Sequence, residues 1–230
     1  MQTRYLTTIL FAAVLSGCGA TPAFQQGPDA EVTYDGLTRV DNTVMDTVWA
    51  RTDIDIKGYD KIMFQGVGVE YRPAKGPYSG RTSALEHQRS SQTEFKLDEA
   101  TKAAFETEVR DAFLAELGTS KVYQIVEEAG PDVLLINSSL LDVVSRVPPE
   151  TIGRSNIYIS SVGEATLVLE IRDSMSGAIF ARAVDRRAAE REGWLMDSNR
   201  VTNRAEVRRL ARAWGRLLRQ GLERLMTEGV

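Results

Sequence analysis

A chain of 230 residues with 43% hydrophobic and 26% charged residues has the make-up of an ordinary globular protein, long enough for one substantial domain and short for two. Its formal net charge of −4 disfavours bulk binding to nucleic acid. A single cysteine and a single histidine exclude an intrachain disulfide and any multi-histidine metal site.

The first stretch is the most informative. Arg4 precedes an apolar run from Tyr5 to Leu15, which leads into Leu15-Ser16-Gly17-Cys18. The pattern reads as a bacterial secretion signal, residues 1–17, ending in a lipobox. Small residues at Ser16 and Gly17 let the backbone enter a peptidase in extended form, with cleavage between Gly17 and Cys18. Cys18 then offers the thiol for a thioether-linked diacylglycerol, a covalent lipid and the only cofactor-like group expected. Buried acyl chains contribute about 0.8 kcal/mol per methylene, so two or three of them hold a protein almost permanently. The run is too short to remain as a spanning helix, so the expected chain is anchored and not threaded. Gly19 in place of Asp after the lipidated cysteine resembles an outer-membrane address in a Gram-negative cell, which puts the domain in the periplasm. Residues 18–34 read as lipidated cysteine plus flexible tether, because two prolines, two glycines and no periodicity occupy the stretch from Gly19 to Ala30. Residues 35–230 read as the globular domain.

Residues 31–57 read as an irregular lead-in packing on the domain, and Asp53, Asp55 and Asp60 read as solvated loop charges. Lys61–Tyr71 is β-branched and aromatic, the profile of a strand, and its Gly66 and Gly68 mark a bulge or a close backbone approach. Residues 72–95 form a long polar loop, one of two places to seek a partner site. Leu97–Gly118 reads as a helix whose Phe105, Val109, Ala112, Phe113 and Leu117 share one face. Val122–Glu127 and Asp132–Ser145 read as strands, the second aliphatic enough to be central. The segment after Ser145 is broken by Pro148 and Pro149 and carries Arg146, Arg154 and Tyr158, the second candidate partner site. Glu164–Asp173 and Ala178–Arg187 alternate around a turn, which predicts a long antiparallel hairpin. Asn203–Met226 reads as a helix opened by an Asn203/Glu206 capping box. One of its faces is apolar and another carries Arg204, Arg208, Arg209, Arg212, Arg216 and Arg219. Of these, Arg208, Arg212, Arg216 and Arg219 are candidates to meet phosphate, glycan or an acidic protein patch; the alternative is a solvated stripe paired with surface carboxylates. The predicted fold is α+β, a single domain with a mixed sheet of about five strands, two packing helices and the hairpin.

Gly163-Glu164-Ala165-Thr166-Leu167-Val168-Leu169-Glu170, Arg172-Asp173-Ser174, Gly177 and Ala183-Val184-Asp185-Arg186-Arg187 resemble the DUF3313 family of bacterial lipoproteins, as do Gly58-Tyr59-Asp60-Lys61-Ile62-Met63 and Gly153-Arg154-Ser155. The resemblance spans about residues 35–226. It implies an envelope protein and supplies no catalytic residue. A fainter, architectural likeness is to the domain shared by the N-terminal part of TolB and by envelope lipoproteins such as the curli secretion factor.

The chain holds no GxSxG, HExxH, CxxC or GxxxxGK motif, so no catalytic or metal-ligating residue is assigned and the expectation is not an enzyme. Glu164 with Asp173, or Asp142 with Glu170, could serve glycan hydrolysis only if the fold paired them. The expected role is a binding or assembly accessory held at the membrane by its lipid, with an envelope protein complex or peptidoglycan as partner and no nucleic acid. A structural or self-associating lipoprotein is the alternative.

Overall fold

The computed structural model describes residues 21–53, 55–73, 94–147, 158–190 and 195–228. Four long strands carry the architecture: β4 (Lys61–Tyr71), β6 (Val133–Ser145), β8 (Ser161–Asp173) and β9 (Ile179–Glu190). Shorter strands extend them, namely β1 (Ala23–Phe24), β2 (Thr38–Asp41), β3 (Thr47–Ala50) and β5 (Gln124–Ile125). Among the described residues these make one eight-stranded sheet in the order β1-β2-β3-β9-β8-β6-β4-β5, and β7 (Tyr158–Ile159) with β10 (Met196–Asp197) makes a separate ribbon. The sheet is mixed. β4 runs parallel to both β5 and β6, and every other pair is antiparallel. A parallel return needs a crossover, and α1 (Glu99–Leu117) lies between β4 and its two parallel neighbours.

Strand alternation decides which face is buried. Ile62, Leu134, Ile136, Leu140, Leu167 and Leu169 point to one side. There they meet Val109, Phe113 and Leu117 of α1 and Trp214, Leu218 and Leu222 of α2 (Arg200–Glu228). The rings of Phe64 and Phe113 stack at 5.9 Å. Each such side chain, fully buried, contributes about 1.5–3 kcal/mol. The two helices therefore share one face of the sheet, and they cross closely at Gly215, where an added Cβ would stand 3.1 Å from the Glu116 Cβ.

The hairpin and both helices lie where periodicity predicts, and the mixed α+β fold holds. The differences are at the margins. The sheet gains its extra strands from residues read as lead-in and tether. β2 and β3 form a hairpin that pairs on β9, and β1 pairs on β2. Their side chains are mostly half-buried near the sheet edge, so they show no alternation, and β9 anchors them through β3. The predicted tether is thus attached from Thr21 onward: the Asn42 side chain donates to the Thr21 carbonyl, and the Gln25 N–H donates to the Arg39 carbonyl. β5 keeps only two residues of the predicted strand, because it pairs with the first residues of β4 and not with β6.

Helix α2 starts earlier than predicted. The Asn199 side chain accepts from the N–H groups of Val201 and Thr202 at 3.0 and 2.9 Å and is the N-cap. The Asn203 N–H already bonds the Asn199 carbonyl, and Glu206 is buried and takes Arg209, so the Asn203/Glu206 box does not form. Gly66 takes a φ of +101° at a register shift between Phe64 and Val67, the expected bulge, and its carbonyl accepts the Ser138 hydroxyl.

Candidate functional site

β6 breaks its pairing with β8 once, between Leu141 and Val144. The break puts Asp142 at a φ of +56°, in the left-handed region that Asp and Asn tolerate better than other side-chain-bearing residues. Its carboxylate is turned toward two arginines. Arg72, one residue past β4, grips it with Nε and Nη2, and with Nη1 takes Glu94 at 2.6 Å. Arg186 of β9 donates to the same carboxylate at 2.8 Å and to Glu164 of β8 at 2.9 Å. Arg146, one residue past β6, lies 3.3 Å from Glu164. Three arginines and three carboxylates thus form a continuous chain across four strands.

This chain stands at the ends of both segments read from the sequence as polar loops, whose residues 74–93 and 148–157 lie outside the described residues. The first leaves the sheet at Arg72 and returns at Glu94; the second leaves at Arg146 and returns at Tyr158. The roots are joined by backbone as well, since the Phe95 N–H donates to the Ser145 carbonyl at 2.8 Å. The two segments read as separate candidate sites are therefore rooted on one clamp. The Arg72 guanidinium, with Arg186 second, holds the Asp142 carboxyl far below its ordinary range, and Asp142 with Glu94 pushes Arg72 further up. An acid held so firmly ionised has no proton to give near neutrality.

The predicted partner-binding residues fall in three settings. The Arg146 side chain is 17% exposed and engaged by Glu164, so it shapes the clamp more than it reaches outward. Tyr158 is 59% exposed on β7. Arg154 lies outside the described residues, as do Gly17 and Cys18. On α2, Arg208 joins Arg204 in gripping Glu108 of α1, a carboxylate that is 6% exposed. Arg216 lies 3.8 Å from Glu116, and Arg219 bonds both oxygens of Glu223 at 3.0 and 2.8 Å. Arg212 is exposed and makes no ion pair among the described residues.

Neither carboxylate pair weighed for hydrolysis comes together. Glu164 and Asp173 stand at opposite ends of β8, about 30 Å apart at strand rise. Glu170 lies level with Asn137, some five residues along from Asp142, and is occupied by Arg172 and Arg182. Both separations exceed the roughly 5–9.5 Å that flanking a glycosidic bond requires. Asp173 instead accepts from the Tyr59 hydroxyl at 2.9 Å, and burial together with that carboxylate pushes the Tyr59 hydroxyl up to about 12.

Arg72, Asp142, Glu164 and Arg186 were not singled out as partner-site residues by sequence reasoning. Asp142 alone left a trace: it is the one charge inside the run Val133–Ser145, where a central strand should have none.

No helix among the described residues is long and apolar enough to cross a membrane. No curated protein matches the chain. Solved structures similar to it include a dodecamer of PelC from Paraburkholderia phytofirmans, at 12% identity over 72% of this chain and 96% of that one with a TM-score of 0.32. Protein XCC0632 from Xanthomonas campestris, of family DUF330, shares 9% identity over 74% and 85% with a TM-score of 0.38. A candidate lipoprotein from Caulobacter crescentus CB15 shares 8% over 76% and 94% with a TM-score of 0.35. Likenesses this distant carry no argument about activity or partner. The family model is different in kind, because it matches residues 29–218, nearly the span over which the hairpin motif and its flanks resemble it: the chain belongs to the DUF3313 family of proteins of unknown function.

Proposed function

We propose that the protein is a lipid-anchored accessory of the outer membrane, processed between Gly17 and Cys18 and lipidated at Cys18, whose periplasmic domain binds an envelope partner through the two polar loops. One observation carries the binding reading: the ends of both segments meet on the Arg72–Asp142–Arg186–Glu164–Arg146 clamp, and a fold that invests a left-handed aspartate and three arginines in joining those ends supports a presented surface. The lipobox supports the anchor, and a tethered module gains from high local concentration, so weak contacts suffice. The test is in-cell crosslinking of the intact protein followed by mass spectrometry, with peptidoglycan and lipid fractions retained. A stoichiometric protein partner lost on Tyr158→Ala and Arg154→Ala supports the reading. Recovery of the protein alone or as its own oligomer, unaffected by either change, overturns it in favour of a structural lipoprotein.

A further inference from the structure

The described part of the domain begins three residues after Cys18. Thr21 is held by the Asn42 side chain and Ala23 pairs with Asp41, so only Gly19 and Ala20 separate Cys18 from bonded structure. Three residues fully extended reach at most about 11 Å. A chain leashed this tightly has no freedom to stand off from the membrane that holds its acyl chains.

Where the leash leaves the domain decides what lies against that membrane. Asn42 opens the β2–β3 turn with a φ of +59°, and Val44 at its tip is 76% exposed. The turn is stiff behind that tip. Met45 packs against the main core, the Asp46 N–H donates to buried Asp185, and the Asp46 carboxylate accepts from the Arg186 N–H at 2.8 Å. β5, by contrast, is the far edge of the sheet, seven strand spacings or about 34 Å away. Asp41 and Asp46 flank the turn and the nearby cation Arg39 lies 4.0 Å from Asp41, so the turn carries no excess positive charge for a strongly anionic surface and the matching surface is a zwitterionic phospholipid leaflet.

Resting on the reading of Cys18 as lipidated, we infer that the domain lies with its β1 edge against the bilayer, Val44 touching the lipid. The partner of the loop clamp is then one that lies at the membrane surface. The clamp's Arg186 follows directly on the residues that hold the turn, which keeps the loop roots close to the leaflet as well.

Purified lipidated protein in phosphatidylcholine/phosphatidylethanolamine vesicles tests this, since thioether-blocked Cys18 leaves any introduced cysteine as the one free thiol. An environment-sensitive fluorophore on Val44→Cys is expected to be quenched several-fold more by bromolipids than the same label on Glu127→Cys, which lies just past β5. Inserting a Gly/Ser linker of about 15 residues between Gly19 and Ala20 is expected to bring the two levels together. Equal quenching in membrane-bound protein with its native leash, or no response to the linker, overturns the inference alone. Protein that fails to co-float with the vesicles overturns the anchor and the inference with it.

Discussion

The indole Nε1 of Trp214 donates to Oδ2 of Asp185 at 2.6 Å, in a core where both residues are almost wholly buried. The same carboxylate accepts from Arg187 at 2.6 Å and from the Asp46 N–H at 3.2 Å. A single aspartate therefore ties α2, β9 and the β2–β3 turn together. Removing one donor from a buried carboxylate costs about 1–3 kcal/mol, so Trp214→Phe is expected to lower unfolding free energy by that amount in urea titration. Asp185→Ala is expected to cost more, since it strands the indole and Arg187 at once. Wild-type stability in Trp214→Phe would refute the tie.

Glu108 makes stability depend on pH. The Arg208 guanidinium, with Arg204 second, holds its carboxyl below the ordinary value while burial pulls the other way. A depressed folded-state value means the contribution is fully present above the unfolded value of about 4.3 and is lost as pH falls through the folded value. Urea midpoints measured from pH 7 downward are expected to fall in acid, and to fall less steeply in Glu108→Gln. Parallel curves for the two proteins would contradict the assignment.

Gly163 faces the β6 break. A Cβ there would lie 2.1 Å from the Val144 carbonyl oxygen, a contact backbone cannot yield without parting β6 from β8. Gly163→Ala is expected to destabilise by several kcal/mol, on the order of the largest single-site effects. Retained amide-exchange protection along Val144–Ser145 would show that the strands accommodate it.

Asp142 separates charge from backbone. Asparagine tolerates the left-handed conformation, so Asp142→Asn removes the charge that holds Arg72 and Arg186 while leaving the bulge intact. Faster amide exchange at Phe95 and Val147 with little change in global stability is the expected result. Asp142→Ala, which strains the backbone as well, is expected to lower global stability in addition. If the two behave alike, the bulge and not the charge fixes the loop roots.

Cooperative placement of these residues was only partly legible in the sequence. Alternation exposed β8 and β9 because Ala165, Leu167 and Leu169 face a core while Glu164 and Glu170 do not. The arginine stripe of α2 was legible as a stripe, yet its destination was not: Glu108 lies on the apolar-facing side of another helix, about a hundred residues earlier, and only packing brings Arg204 and Arg208 to it. β2 and β3 escaped notice because short strands near the sheet edge, half-buried along their length, have no period to read.

By itself the sequence determined what short-range chemistry can encode: the two helices through their 3.6-residue faces, β4 and β6 through their β-branched and aliphatic content, and the hairpin through period two. The tertiary structure decided what depends on residues distant in the chain. It set the parallel order of β5-β4-β6, attached the first described residues to the sheet edge, and gathered Asp142, Glu164 and Arg186 from three strands around Arg72 at the end of a fourth. The physical reason is that periodicity reports which face of an element is buried, whereas charge pairing and edge pairing depend on which elements become neighbours, a property no single segment carries.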